Sequence, residues 1–218
     1  MIKKNGFTLA EVLVVLGIVG VVAALTLPSL MSNTTSAQIG PKLAKAVAMF
    51  DQANTALLNE QGADSLTETD LLSNKYQKEI IKYLKSAEGG SITNTPPGFS
   101  SNSIIATITA KDGTVYQAYS NGAPSATNDP AHSQLVGTVI IDIDGNSGPG
   151  EPGTDLFAFT WFADGSLRPY GGTGSKSIVN NWTTACPKPS QNGDYLTPSN
   201  YWACAGHVFE NNLKVQYE

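Results

Sequence analysis

The densest set of chemically capable side chains lies in the segment DIDGNSGPGEPGTD, residues 142–155, which carries Asp142, Asp144, Asn146, Glu151 and Asp155. Hard oxygen donors on a chain that glycines let fold inward are the chemistry of a Ca2+ site. Asp142, Asp144 and Asn146 match the first three liganding positions of an EF-hand loop. Ser147 stands where the turn glycine belongs, however, and Gly153 where the bidentate glutamate belongs, so the segment is not an EF-hand. The alternative is a solvated turn whose Asp and Asn side chains satisfy nearby backbone amides.

Catalytic chemistry finds little to use. The chain has no G-x-S-x-G, P-loop, H-E-x-x-H or G-x-G-x-x-G, and its histidines, His132 and His207, are far apart and lack a nucleophile to serve. These absences predict a non-enzyme. Trp161, Trp182, Tyr201 and Trp202 offer an aromatic surface for binding, with core packing as the commoner role. Nucleic acid is a poor partner, because the formal charge is −5 and only 14% of the residues are charged, whereas phosphates want a basic patch to neutralise them. Without Lys3 and Lys4, the 13 basic residues fall to 11 against 18 acidic ones, so the remainder is plainly acidic and favours cations.

A second ionisable group stands out by its setting. Glu11 lies inside the run from Phe7 to Leu27, which is otherwise almost wholly apolar. That run, at 1.5 Å per residue, gives roughly 30 Å of helix, the thickness of a bilayer's hydrocarbon core. Lys3 and Lys4 precede it and the next basic residue is Lys42, which puts the N-terminus in the cytoplasm and the downstream chain outside. A cleavable secretory signal cut near Ala23, a plain anchor and a more specialised segment all compete for this pattern. A carboxylate costs about 2.5–3.5 kcal/mol at mid-membrane on insertion scales, less near the end, and serves neither a signal nor a simple anchor, so it asks for a partner. The alternative is a tolerated interfacial charge facing water or headgroups.

Lys3-Lys4-Asn5-Gly6-Phe7-Thr8-Leu9-Ala10-Glu11, followed by Val12-Leu13-Val14-Val15-Leu16, resembles the start of type IV prepilins and type II secretion pseudopilins over Met1 to Leu30. The resemblance implies that a membrane peptidase cuts between Gly6 and Phe7 and that the new amine of Phe7 is N-methylated. It makes Glu11 the assembly glutamate and Pro28 the helix-kinking proline. It also implies partners: further copies or related pilins, the prepilin peptidase and methylase, an inner-membrane assembly platform and membrane lipid. The chain would sit as a single-pass inner-membrane protein with an exported head, then in a periplasmic or extracellular filament. Some members hold calcium in a loop beside the sheet, which bears on Asp142 to Asp155. On charge grounds alone, a Phe7 amine on a neighbouring copy would meet Glu11 in a low-dielectric setting, where pairing fixes register more than it adds stability. The alternative function is a membrane-anchored binding module using the Asp-rich loop or the aromatics.

These residues need positioning elements. Leu43, Ala46, Val47, Phe50, Ala53 and Leu57 are spaced by threes and fours, which predicts an amphipathic helix over 41–60. Leu72, Tyr76, Ile80 and Leu84 predict a second helix over 70–87, with Thr67 to Asp70 as caps and Gly89-Gly90 as its stop. Strands are expected at 104–109 and 114–119 around a two-residue Asp112-Gly113 turn, at 135–143, and at 156–162 and 166–170 around Asp164-Gly165. Val208-Phe209 and Leu213-Val215 suggest a last short hairpin. The expected fold class is α+β, a long N-terminal helix packed on an antiparallel β-sheet head. Residues 1–6 form the leader, 7–30 the apolar helix and 31–218 the head, with the sheet at about 103–170 and a closed C-terminal region at 171–218. In an exported chain the isolated pair Cys186 and Cys204 is expected as a disulfide, contributing about 3 kcal/mol on the entropy model, with two unrelated buried thiols as the alternative.

Overall fold

The computed structural model describes residues 8–68, 72, 75–84, 86–89, 104–119, 135–145, 150, 153–169, 204–210 and 212–213. The chain divides into two units, Met1–Gln38 and Ile39–Glu218. The first unit holds the N-terminal part of α1 (Leu9–Gln61), a helix of 53 residues that carries on past Pro28. Its run from Leu9 to Thr26 is long and apolar enough to cross a membrane, and none of it is buried.

In the second unit, α1 lays Ile39, Leu43, Ala46, Phe50, Ala53 and Leu57 into the core. This is the stripe the spacing predicts, with Val47 packed at its border. It faces an antiparallel sheet of order β1-β2-β3-β4-β5-β6: Ser86–Gly89, Ile104–Ala110, Val115–Tyr119, Leu135–Asp142, Leu156–Phe162 and Leu167–Pro169. Among the described residues consecutive strands pair throughout, so the sheet is a simple meander. Alternation sends Ile108, Tyr116, Val139, Ile141, Phe157, Phe159 and Trp161 toward α1. Tyr119, Ile140, Leu156 and Ala158 form a smaller cluster. Phe50 stacks on Tyr116 at 5.4 Å and meets Trp161 edge-on at 6.0 Å, while Tyr76 lies 4.8 Å from Trp161. The α+β architecture with an apolar N-terminal helix is therefore present as expected.

Several local expectations are corrected. The second helix is shorter than 70–87: α2 is Tyr76–Leu84, beginning one residue after the turn at Lys75, and a 3-10 turn at Leu66–Glu68 precedes it. Ser86 to Gly89, small and polar, pairs instead with β2, whose open edge offers backbone partners that override weak local propensity. The sheet thus starts at Ser86 rather than near 103. The final hairpin is not formed, since Val208 and Phe209 belong to α3 (Cys204–Glu210) and Phe209 packs edge-on against Phe159 at 6.0 Å. Trp161, by contrast, is fully buried and takes the core role expected as the commoner one. Trp182, Tyr201 and Trp202 lie outside the described residues.

Both Asp-Gly hairpins carry three-residue loops, where two residues are expected at Asp112-Gly113. Ala110 N–H donates to the Thr114 carbonyl at 2.8 Å and Gly113 N–H to Ala110 at 3.0 Å. Phe162 N–H donates to Ser166 at 3.0 Å and Gly165 N–H to Phe162 at 2.9 Å. Each is a type I turn closed by a left-handed glycine, the geometry of a G1 bulge. Gly165 is needed twice over: its φ is +85°, and an added Cβ would lie 2.6 Å from Asn54 Cβ on α1. The same reasoning applies where α3 ends. A Cβ on Gly40 would meet the Leu213 carbonyl oxygen at 1.8 Å, so this glycine lets Leu213, three residues past α3, lie directly on α1.

Candidate functional site

The first candidate site is the start of α1. Thr8 is its N-cap: Glu11 N–H donates to Thr8 Oγ1 at 3.3 Å, while Glu11 Oε2 accepts from Thr8 N–H at 2.8 Å and from Thr8 Oγ1 at 2.7 Å. Side chains three residues apart thus satisfy each other's backbone donors, the reciprocal arrangement of a capping box. The helix N-terminus adds a favourable dipole for the carboxylate. The sequence carried the signal, Thr8-Leu9-Ala10-Glu11, and the reading of Glu11 as a charge awaiting a partner passed over it. Gly6 and Phe7 lie outside the described residues, as does the Pro28 side chain.

Beyond the cap the surface is apolar on every side. Leu9, Leu13, Leu16, Ile18, Val21 and Leu25 are each more than half exposed, and consecutive Val12 to Leu16 leave no polar face. Full burial of a side chain of this size is worth about 1.5–3 kcal/mol, so such a cylinder is unstable in water and calls for lipid or other apolar helices.

The acidic loop is the second candidate. Asp142 ends β4, where it pairs across to Val115 and to Leu156. Its Oδ1 accepts from Gly145 N–H at 2.8 Å and Asp144 N–H at 3.2 Å. Ile143 N–H donates to the Asp155 carbonyl at 3.0 Å, which brings the buried Asp155 alongside. Burial pushes the Asp142 carboxyl up to about 7, with the Asp144 side chain and the Asp155 charge adding to the rise and Gly145 opposing it. Of the expected ligands, the structure thus joins Asp142, Asp144 and Asp155. Asn146 and Glu151 are outside the described residues. Among the described residues no three His, Cys, Asp or Glu side chains converge to hold a metal ion. The two findings differ because a charge acts at longer range than a ligand bond. The donor chemistry suits a hard cation, and the convergent geometry of a formed site is not present in the described part.

Cys204 is buried at the start of α3, and Cys186 lies outside the described residues. His207 falls in α3 and His132 outside the described residues. A residue with no sequence signal is Asp51, whose Oδ1 accepts from Leu167 N–H at 2.8 Å across 116 positions.

Residues 1–27, which carry this cap and most of the apolar cylinder, match the prokaryotic N-terminal methylation motif. The chain is also similar to the Type II secretion system core protein G of Escherichia coli (strain K12), 34% identical over 87 residues, which cover 35% of this chain and 60% of that protein. The match thus spans less than two thirds of this relative. No solved structure matches the chain. The motif and the relative together support the type IV pilin and pseudopilin family.

Proposed function

We propose that this chain is a structural subunit, a pilin or pseudopilin, that enters the membrane through Leu9–Thr26, is cut between Gly6 and Phe7, and assembles through these helices into a filament. The observation that carries the reading is the methylation motif at residues 1–27 joined to a capped, wholly exposed apolar helix. In this reading the head is exported, Cys186 and Cys204 close its C-terminal region, and Pro28 bends the helix at the end of the apolar stretch. Apolar burial between helices supplies the association energy, while Glu11 paired with the Phe7 amine of a neighbouring copy sets the register. Partners are other pilin subunits, the prepilin peptidase and methylase, an assembly platform in the inner membrane, and lipid. The similarity to a type II secretion core protein makes a secretion filament the first branch to test. Asp142, Asp144 and Asp155, with Asn146 and Glu151, would hold calcium, whose charge would relieve the carboxylate repulsion.

Mass spectrometry of the mature protein tests the processing step: the first residue is expected to be N-methylated Phe7, and an intact Met1 or a start near Ala24 refutes it. Glu11→Ala is expected to insert into the membrane normally and to fail in filament incorporation. Wild-type incorporation by that variant removes Glu11 from the assembly role.

A further inference from the structure

Asp51 lies on α1 next to the buried Phe50, on the flank of the stripe that meets the sheet. Its acceptor contact with Leu167 reaches β6, the edge strand of the sheet among the described residues. Because Phe162 N–H donates to the Ser166 carbonyl, Ser166 turns its backbone toward β5. Antiparallel alternation then turns Leu167 away from β5, Arg168 toward it and Pro169 away. The outward N–H positions of β6 are therefore Leu167 and Pro169. Asp51 takes the first donor, and the second residue has none. An edge strand with free outward donors is a template for another strand, and proline is one of the devices that blunt it.

The choice of a carboxylate here is costly. Burial pushes Asp51 up to about 6 and the Asp164 charge adds to the rise, while Leu167 N–H and Arg168 act in the opposite sense. Packing alone would be met by an apolar residue. The Gly165 turn lies on Asn54, one helical turn along α1, so the whole β5–β6 hairpin is seated on the helix at two points.

We infer that Asp51 is a strap that fastens the β5–β6 hairpin to α1 and closes the β6 edge of the sheet to strand addition by a second copy of this chain. Hydrogen exchange tests it, on the full chain in detergent micelles. Asp51→Ala, which removes the acceptor, is expected to lower protection of the Leu167 amide by roughly tenfold or more while amides of β3 and β4 hold. Asp51→Asn, which keeps an acceptor oxygen of the same reach, is expected to retain most of that protection. Asp51→Ala is also expected to associate with rising concentration, read by light scattering against Asp51→Asn. Should Asp51→Ala not fold, Asp51→Ser makes the same comparison, its hydroxyl falling short of Leu167. Equal Leu167 protection in the wild type and the acceptor-less variant overturns the strap. Loss of protection without concentration-dependent association overturns the edge closure.

Discussion

Replacing Asp51 by asparagine should change how the stability of the chain responds to pH, with a sign opposite to the usual acid sensitivity of carboxylates. The carboxyl rises from 3.8 to about 6, chiefly through burial. Between these values the native chain holds a proton that the unfolded chain has released, so the protonated group contributes stability at low pH and loses it as pH rises through the folded value. At about 1.36 kcal/mol per pH unit the rise corresponds to roughly 3 kcal/mol. The side chain still meets solvent in part, so about half, ~1.5 kcal/mol, is the magnitude to expect. The amide introduced by Asp51→Asn cannot titrate and retains an acceptor for Leu167. The stability of the wild type relative to Asp51→Asn should therefore fall by ~1.5 kcal/mol between about pH 4 and pH 7, or roughly 3–6 °C in Tm. Thermal unfolding of both full chains in the same micelles, followed by circular dichroism, reads that difference. A gap that stays flat, or one that widens in favour of the wild type as pH rises, refutes the placement of Asp51 as a partly buried acceptor.

Phe50→Ala should cost about 3–5 kcal/mol, because it empties the site shared with Tyr116 and Trp161, and a drop in chemical unfolding midpoint checks it. Gly40→Ala should displace Leu213 just beyond α3, since the added Cβ meets its carbonyl, and faster amide exchange at the Leu213 N–H, which donates to Val208 at 2.9 Å, would register it. If the acidic loop takes calcium, millimolar Ca2+ should raise Tm and a chelator reverse it, whereas Asp142→Asn should abolish the response. No shift with the wild type retires the metal.

The helical stripe on α1 was legible because burial on one side leaves a period of three and four in the sequence, and Leu43, Phe50 and Leu57 are fully buried as that period requires. Strand β5 was equally readable, since Leu156 to Phe162 is a continuous run of apolar, aromatic and β-branched residues. Strand β1 was not, because nothing in Ser86-Ala87-Glu88-Gly89 favours a strand until β2 presents its edge. The turns were recognised by Asp-Gly, but loop length depends on which backbone pair closes the hairpin, and that choice is made by the strands. At the candidate sites, the capping box has a local signal in Thr8-Leu9-Ala10-Glu11 that the search for a charge partner overlooks, while Asp51 and Leu167 meet only after the chain has folded over 116 positions.

The cap at Thr8 also bears on the pairing proposed for Glu11. Had the carboxylate been bare, the neighbouring amine would have to supply all of its compensation in an apolar setting. Both Thr8 donors instead converge on Oε2. A carboxylate accepts at two oxygens, so an amine arriving at the other one need not break the cap. On that proposal the two arrangements are successive rather than competing: the Thr8 contacts would make the charge tolerable in a single inserted helix, and a second helix would complete it. It follows that removing the Thr8 hydroxyl should weaken the isolated helix start, by about 1 kcal/mol for a lost cap, without removing the charge that a neighbouring subunit would recognise.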